Sequence, residues 1–344
     1  MSLTTEQLAL RRTGVTSTDI AAIAGINPYR SALEVYMDKT KPDWRGEEGP
    51  ESEPCYWGLA LEPPVTERYE RDHTNLLLEH PGTVRSIRQE WMLATPDRIV
   101  LGKDADGVRS RWGLEVKTAF SPAQVARWGE GGDQMPEEYL IQCAWCMAVC
   151  ELARWDLAVL LGGYHGLEYR EYRLTRDREF ERGLVEGANV CTQCSQAVER
   201  GSERCPACEY PTWAGARHFW FEHVLKGVSP SPDGSPGAGR ALRALYPEAE
   251  ARMVLADPEC EGWIDWFADA DERMRGAAKT RAYYQQLTQG YIGPAEGVEG
   301  EWGRITWKVT KDGKRVWNAR GLRPPQGKSG TTEGTESGQG GEDD

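Results

Sequence analysis

Two short apolar segments joined by a turn are the feature that most constrains the fold of this chain. Residues 91–100 and 112–118 are rich in β-favouring side chains, and residues 103–107 between them read Lys-Asp-Ala-Asp-Gly, a typical turn sequence. Because side chains alternate along a strand, Glu115 and Lys117 share one face, and the hairpin brings Asp97 beside them. Two carboxylates and a lysine on one surface can hold a hard divalent cation and place a water molecule against a phosphodiester.

The flanking sequence predicts a mixed α/β fold, in which helices precede and follow this hairpin. Helices are expected over residues 4–12, 18–24, 32–39, 56–70 and 137–150, and further strands over residues 157–161 and 168–174. The expected helix caps are Thr4 or Thr5, Ser17 or Thr18, and Ser31. The adjacent Pro63 and Pro64 are expected at a break or in a first helical turn, because proline cannot donate a helical hydrogen bond.

Several motifs in one order carry a resemblance to a known family. Pro96-Asp97 and Glu115-Val116-Lys117 resemble the motif after which the PD-(D/E)xK nucleases are named. Together with residues 11–31, 57–63, 136–142 and 154–160, they are similar in order and spacing to the phage lambda exonuclease branch, in particular the YqaJ-type viral recombinases. The resemblance covers about residues 8–176 and, more loosely, the region to about residue 309. It implies a restriction-endonuclease-like core with a mixed central sheet flanked by helices.

The resemblance also implies roles for the residues of the motif. It makes Asp97, Glu115 and the backbone carbonyl of Val116 ligands of catalytic Mg²⁺ or Mn²⁺, ions that prefer oxygen donors. Lys117 would orient or deprotonate the attacking water and offset charge on the phosphate. Glu62 would reach a second metal ion or its water; the alternative is a carboxylate that interacts only with the helix dipole.

Two further sets of side chains are expected to lie near phosphate groups. Gln142 matches the glutamine that follows a tyrosine in the family and would hydrogen-bond near the scissile phosphate. Arg11, Arg12 and Thr18 occupy the positions where lambda-type exonucleases hold a 5′-phosphate, and the choice between the two arginines stays open. The alternative is an ordinary helix cap flanked by solvated arginines.

Four cysteines form a CxxC-x10-CxxC pattern, which is typical of a closed tetrahedral Zn²⁺ site. They are Cys191, Cys194, Cys205 and Cys208. The pattern predicts a zinc ribbon over residues 191–213, inserted into a helical region that the family resemblance shows as continuous. An iron–sulfur cluster is the rival interpretation, although related nucleases draw its ligands from cysteines far apart in sequence. Free thiols or two disulfides are further alternatives.

Three other cysteines, Cys143, Cys146 and Cys150, follow helical spacing within residues 137–150. Cysteine is a small apolar residue, and this spacing matches the buried face of a helix. No fourth ligand lies nearby in the sequence to complete a tetrahedral site. We therefore expect these three side chains to pack in the core.

The sequence predicts four regions. A nuclease core over residues 1–190 precedes the ribbon over residues 191–213, and a helical region with a terminal hairpin follows over residues 214–321. The last 23 residues, 322–344, are expected to form a disordered acidic tail. Within the helical region, a helix over residues 258–291 carries Trp and Phe side chains expected in a core or an interface, and the hairpin spans residues 302–317.

The net charge of −13 does not favour broad nonspecific coating of nucleic acid. Residues 330–344 contribute −5 and residues 43–53 contribute −4, so the remainder carries only −4 and leaves room for a local basic groove. No apolar run approaches the length of about 20 residues that a membrane span needs, and the N-terminus lacks the apolar region of a signal peptide. We expect a cytoplasmic protein without membrane association.

The function implied by the resemblance is a metal-dependent exonuclease that degrades double-stranded DNA ends 5′→3′ for phage-type recombination. Expected partners are double-stranded DNA, a single-strand annealing protein and two further copies of the chain in a homotrimer. One alternative is a non-catalytic DNA-end or zinc-ribbon adaptor. Another is a PD-(D/E)xK endonuclease or helicase-associated nuclease.

Overall fold

The computed structural model describes residues 4–44, 52–103, 107–129, 134–163, 166–188, 194, 196–199, 201–208, 212–319 and 322. The chain divides into two compact units, Met1–Ala249 and Glu250–Asp344. Within the described ranges, no helix combines the length and the apolar character needed to cross a membrane. The centre of the expected turn at residues 104–106 and the expected tail from residue 323 lie outside the described residues.

The first unit is built around a five-stranded mixed sheet. The described strands of the unit are β1 (Leu77–Glu79), β2 (Val84–Arg85), β3 (Leu93–Ala94), β4 (Arg98–Lys103), β5 (Arg109–Ala119), β6 (Arg154–Gly163) and β7 (Gly166–Thr175). The sheet has the order β1-β4-β5-β6-β7, while β2 and β3 pair separately. Strands β5 and β6 run parallel and the other neighbours run antiparallel. The expected mixed α/β fold with a helix-flanked central sheet is confirmed.

The helices of this unit follow the expected order. They are α1 (Thr5–Arg11), α2 (Ile20–Ile23), α3 (Ala32–Thr40), α4 (Glu53–Asp72), α5 (Pro122–Val125), α6 (Glu137–Cys150), α7 (Arg178–Glu186), α8 (Ala216–His218), a π-helix (Phe219–Val224) and α9 (Pro236–Leu245). Thr4 caps α1 and Ser31 caps α3 through capping boxes, so these two expected caps are confirmed.

The two faces of the sheet carry separate apolar clusters because side chains alternate along each strand. On one face, Val65 and Tyr69 of α4 pack against Leu114 and Val116 of β5. On the other face, α6 packs against strand residues that include Leu157. Cys143 and Cys146 of α6 are fully buried and Cys150 is half-buried, which confirms that these three cysteines belong to the core face of the helix.

Two expected boundaries are wrong because of proline. Pro63 and Pro64 lie inside α4 rather than at a break, and the helix continues to Asp72 while Val65 and Tyr69 are buried against the sheet. That burial compensates for the hydrogen bonds that the two rings cannot donate. Conversely, residues 91–100 do not form one strand, because Pro96 lies between β3 and β4 and has no N–H for the ladder.

The two helical segments around the cysteine-rich region do not continue one another in an α-helical geometry. The helix α7 ends at Glu186, and the later segment starts as one α-turn and continues as the π-helix. Gly187 and Gly215 both have positive φ, and a Cβ on Gly215 would lie 2.5 Å from the Gly187 nitrogen. The chain therefore leaves and re-enters this part of the fold at one point.

The second unit contains a 35-residue helix and a small antiparallel sheet. The helix α10 spans Pro258–Ile292, and β8 (Gly297–Gly300), β9 (Gly303–Val309) and β10 (Arg315–Asn318) form the sheet in the order β10-β9-β8. The expected terminal hairpin is thus present as β9 and β10. Within α10, Ile292 is buried while Trp266 and Phe267 are exposed, so these aromatic residues lie outside the core and the expected interface role stays a prediction.

Candidate functional site

The expected hairpin places the acidic motif at the junction of β4 and β5. Arg98 pairs with Leu114 in the antiparallel ladder, so Asp97, which directly precedes β4, lies beside Glu115 and Val116. The backbone N–H of Val116 donates to Oδ2 of Asp97 over 2.8 Å. This contact fixes the carboxylate against the strand that carries Glu115.

Glu115 is held by two donors on one of its oxygens. Lys117 Nζ and Gln142 Nε2 each donate to Oε1 over 2.5 Å, and Gln142 reaches the site from α6. The other oxygen, Oε2, is buried and has no hydrogen-bond partner within the described residues. A buried carboxylate oxygen without a donor is costly, and a hard cation shared with Asp97 would satisfy it. These residues therefore fit a divalent metal ion.

The charges of this cluster shift one another's protonation. Burial, and next the charge of Glu115, raise the pKa of Asp97 to about 7. Burial alone would lower the pKa of Lys117, but the carboxylates of Glu115 and Asp97 outweigh it and raise that pKa. The lysine is consequently a cation at neutral pH, while the aspartate holds its proton more tightly than an exposed carboxylate does.

Glu62 lies on the α4 side of the sheet and is paired with a residue that sequence reasoning missed. Arg98 Nη1 donates to Glu62 Oε1 and to the backbone carbonyl of Asp97, both over 2.6 Å. The same nitrogen lies 3.1 Å from Nδ1 of His80. Arg98 pairs with Leu114, so the two side chains lie on the same face of the sheet, and both are buried. An arginine in a strand position that faces the core could have been recognised from sequence, because a buried arginine needs a nearby carboxylate.

The structure distinguishes the two arginines near Thr18. Arg11 donates to Oγ1 of Thr18 over 2.6 Å and to Oγ1 of Thr95 over 2.9 Å. Thr95 stands two residues before Asp97, so Arg11 connects the N-terminal hydroxyls to the acidic motif. Arg12 points elsewhere and donates to the carbonyl of Pro42 over 3.2 Å. Of the two arginines, only Arg11 lies with Thr18.

The expected cap of the second helix is wrong. Neither Ser17 nor Thr18 caps α2, which has four residues and begins after Asp19. The Asp19 carboxylate accepts instead from the N–H and hydroxyl of Thr16, over 2.9 and 2.7 Å. It also forms ion pairs with Arg30 and Lys39, each at 2.7 Å, and these cations draw it away from the helix terminus.

Sequence reasoning did not identify this ion cluster beneath Arg11. Asp19 is 1% exposed and the Lys39 side chain is equally inaccessible. Burial alone would raise the pKa of Asp19, but Lys39 and Arg30 overcompensate and lower it far below its usual range. Lys39 also donates to the backbone carbonyl of Arg11 over 2.7 Å. The buried cluster therefore holds the backbone that presents Arg11.

Three of the four CxxC cysteines converge within the described residues. The Sγ atoms of Cys194, Cys205 and Cys208 lie within 4.8 Å of one another, with 3.5 Å between Cys194 and Cys205. Sulfur atoms around tetrahedral Zn²⁺ are about 3.8 Å apart, as follows from a Zn–S bond of about 2.3 Å. Cys191, the fourth expected ligand, lies outside the described residues. The three thiol groups fit a metal of this class.

Comparison with known proteins gives a family match in the N-terminal part of the chain and a similar bacterial protein. Residues 6–153 match the family model described as the YqaJ-like viral recombinase domain. The uncharacterised protein YqaJ of Bacillus subtilis (strain 168) is 26% identical over 252 residues, which cover 73% of this chain and 66% of that protein. The chain thus spans slightly less than two thirds of that relative's length.

Solved structures give a weaker likeness. An alkaline exonuclease from Laribacter hongkongensis is similar with a TM-score of 0.40 and 20% identity, covering 52% of this chain and 84% of that enzyme. The same enzyme in complex with dAMP gives a TM-score of 0.39 at 20% identity, covering 51% of this chain and 84% of that enzyme. The acidic motif, Gln142 and Arg11 all fall within the matched family segment, whereas the CxxC cysteines lie beyond it.

Proposed function

We propose that this chain, whose residues 6–153 match the model of the YqaJ-like viral recombinase domain, is a metal-dependent deoxyribonuclease. The observation that carries the proposal is the pairing of Asp97 with Glu115 across β4 and β5, where one buried carboxylate oxygen lacks a donor within the described residues. Asp97, Glu115 and the backbone carbonyl of Val116 would hold Mg²⁺ or Mn²⁺. When bound, the ion supplies Lewis-acid stabilisation of the phosphate and lowers the pKa of a water molecule.

The surrounding side chains have separate tasks. Lys117 positions the attacking water and offsets the charge on the phosphate, and its raised pKa favours this task over removal of a proton. Gln142 fixes Glu115 from α6 and is available to the scissile phosphate. Glu62 is a candidate for a second ion or its water only if Arg98 gives up its contact.

We propose that the substrate is the 5′ end of double-stranded DNA, degraded 5′→3′. Arg11 and the hydroxyl of Thr18 form an anion pocket that is joined to the acidic motif through Thr95. A guanidinium and a hydroxyl are suitable partners for a terminal phosphate. A pocket that holds the end at a constant position would make cleavage proceed stepwise from that end. Arg12 has no place in this pocket because it contacts the α3 side of the fold.

A structural Zn²⁺ in the cysteine-rich region is a separate proposal. Cys194, Cys205 and Cys208 would hold the ion together with Cys191. The close approach of Gly187 and Gly215 supports an inserted segment that leaves the fold and returns at one point. Metal analysis should find zinc, and about one equivalent fewer per chain when Cys194 and Cys205 are both replaced by Ser. Iron with visible absorption would instead identify an iron–sulfur cluster.

The recombination setting rests on the family alone. We propose that the enzyme works in the bacterial cytoplasm, assembles as a homotrimer around DNA and passes single strands to an annealing protein. Light scattering on DNA should give the mass of three chains. A mass of one chain under the same conditions would contradict the ring.

The experiment that tests the nuclease proposal is a time course on linear, nicked and circular duplexes, with and without 5′-phosphate. With Mg²⁺ present, linear DNA should be degraded and intact circular DNA should survive. Cleavage of circles would identify an endonuclease. DNA binding without cleavage in Mg²⁺ or Mn²⁺ would identify a non-catalytic adaptor.

A further inference from the structure

A second group of metal-ligating side chains lies beside the cysteine cluster and involves none of its thiols. Glu203 Oε1 lies 3.0 Å from Nε2 of His218 and 3.4 Å from Nε2 of His223. The two imidazole rings are 5.4 Å apart between centroids and are nearly perpendicular. One carboxylate oxygen and two imidazole nitrogens therefore point at a common centre.

The π-helix is what brings the two histidines together. His218 and His223 are five residues apart, a spacing that would separate their side chains by about 140° around an α-helix. The segment instead forms i→i+5 hydrogen bonds, such as Leu225 N–H to the carbonyl of Trp220 over 3.0 Å. This wider turn places residues five apart on one face, and π-turns often occur at functional sites.

The hydrogen bonds of His223 determine which of its nitrogens is available. Its Nδ1 lies 3.1 Å from the backbone carbonyl of Val228, which can only accept, so Nδ1 carries the proton and donates. In the neutral ring, Nε2 then presents a lone pair toward the Glu203 carboxylate. A metal ion between the lone pair and the carboxylate would satisfy both, and a backbone carbonyl that accepts from Nδ1 is the usual support of a metal-bound histidine.

The burial of the three side chains is graded from the core outward. His223 is 7% exposed, His218 is half-buried, and Glu203 is exposed at its rim. The backbone of Glu203 is held in place because its carbonyl accepts from the N–H of Thr212 over 2.8 Å. An ion could enter from the Glu203 side and meet two ligands that are already oriented.

We propose that Glu203, His218 and His223 form a second divalent metal site, for a zinc-class ion, distinct from the thiolate site. Two imidazoles and one carboxylate are a ligand set for Zn²⁺ and leave a fourth position for water. A metal ion at this site would link the segment over residues 201–208 to the π-helix. Its existence does not depend on the nuclease proposal.

Cobalt titration of the purified full-length protein tests the second site. Co²⁺ bound to thiolates gives a sulfur-to-metal charge-transfer band, whereas Co²⁺ on imidazole and carboxylate gives only ligand-field absorption. The parent protein should bind one more equivalent of Co²⁺ than Glu203→Gln or His218→Gln, and the charge-transfer band should be the same in all three. Both variants alter accessible side chains, so folding should be preserved and is checked by circular dichroism.

Two matched variants complete the test. Glu222→Gln removes an exposed carboxylate on the same helix, paired with Lys226 rather than with a histidine, and should keep the full number of cobalt equivalents. Cys205→Ser should lose the charge-transfer band and keep the ligand-field component of the second site. Equal cobalt equivalents in the parent, Glu203→Gln and His218→Gln would overturn the proposal and identify the cluster as an ion pair only.

Discussion

Two aspartates of the first unit, Asp19 and Asp97, lie away from solvent in opposite electrostatic environments. Asp19 is almost fully buried and lies between Lys39 and Arg30, whose charges lower its pKa. Asp97 is partly buried beside a second carboxylate, and its pKa is raised to about 7. The first charge is compensated by cations within the fold, whereas the second lies beside another carboxylate, as the proposed metal site requires. The comparison suggests how a structural carboxylate can be distinguished from a metal-binding one.

The largest effect is expected in the acidic cluster of Asp97 and Glu115. Glu115→Gln removes a charged ligand while it keeps the size of the side chain, and cleavage should fall roughly 10³-fold or more because transition-state charge loses its counter-ion. Initial rates on a 5′-phosphorylated linear duplex give the measurement. Glu168→Gln, on the exposed side of β7, is the control and should cleave normally. Parent-like cleavage by Glu115→Gln would contradict the metal assignment.

The second effect should appear in stability rather than in metal binding. Asp19→Asn leaves Lys39 buried without a counter-charge and should lower the free energy of unfolding by about 3–5 kcal/mol. Urea denaturation at neutral pH measures the change, and Asp38→Asn, at a partly exposed position near the same cations, should cost less. Mg²⁺ affinity of the folded fraction should be unchanged. A stable Asp19→Asn variant with impaired Mg²⁺ binding would reverse the two roles.

A third, smaller effect is the preference for a 5′-phosphate. Arg11→Gln should reduce the acceleration by a terminal phosphate roughly 10-fold, the size expected for one hydrogen bond to a charged group. Arg12→Gln is the matched control, because that side chain contacts Pro42 and Asp38 instead. Rates on phosphorylated and hydroxyl ends provide the ratio. An effect confined to Arg12→Gln would show that the pocket uses the other arginine.

The fourth effect is a pH dependence that separates the aspartates directly. Because the folded-state pKa of Asp97 is raised, its ionised form costs stability, so the metal-free protein should lose stability as pH rises from about 4 to about 7. Mg²⁺ should bind about tenfold more weakly for each pH unit below about 7, since the proton must leave first. Calorimetry in two buffers of different ionisation enthalpy measures the released proton. Asp97→Asn should abolish that release, and Asp19→Asn should not.

Much of the fold could be predicted because its signals are local. Capping residues predicted the starts of α1 and α3, and short local segments predicted strands within β6 and β7. The juxtaposition of Asp97 with Glu115 needed only strand alternation and one hairpin. The uninterrupted helix through Pro63 and Pro64 escaped prediction, since burial against the sheet, a tertiary effect, outweighs the local preference of proline.

The rest of the site depends on contacts between residues far apart in the chain. Lys39 contacts Asp19 from another helix, and Arg98 contacts Glu62 from the sheet. Neither ion pair can therefore be predicted from a characteristic sequence spacing. The choice between Arg11 and Arg12 is likewise made by the direction in which α1 presents its last turn. The His218 and His223 pair was missed because a spacing of five predicts opposite faces unless the helix is known to be π.

The fully buried thiols of α6 have a practical consequence. Burial raises the pKa of both Cys143 and Cys146, so neither presents a thiolate to an alkylating reagent while the core is closed. Cys143 is the neighbour of Gln142, which holds Glu115. The rate at which iodoacetamide labels Cys143 therefore measures how often α6, the helix that supports the acidic motif, opens locally. The same labelling rate, compared with and without DNA or metal, shows whether either ligand slows local opening of the core.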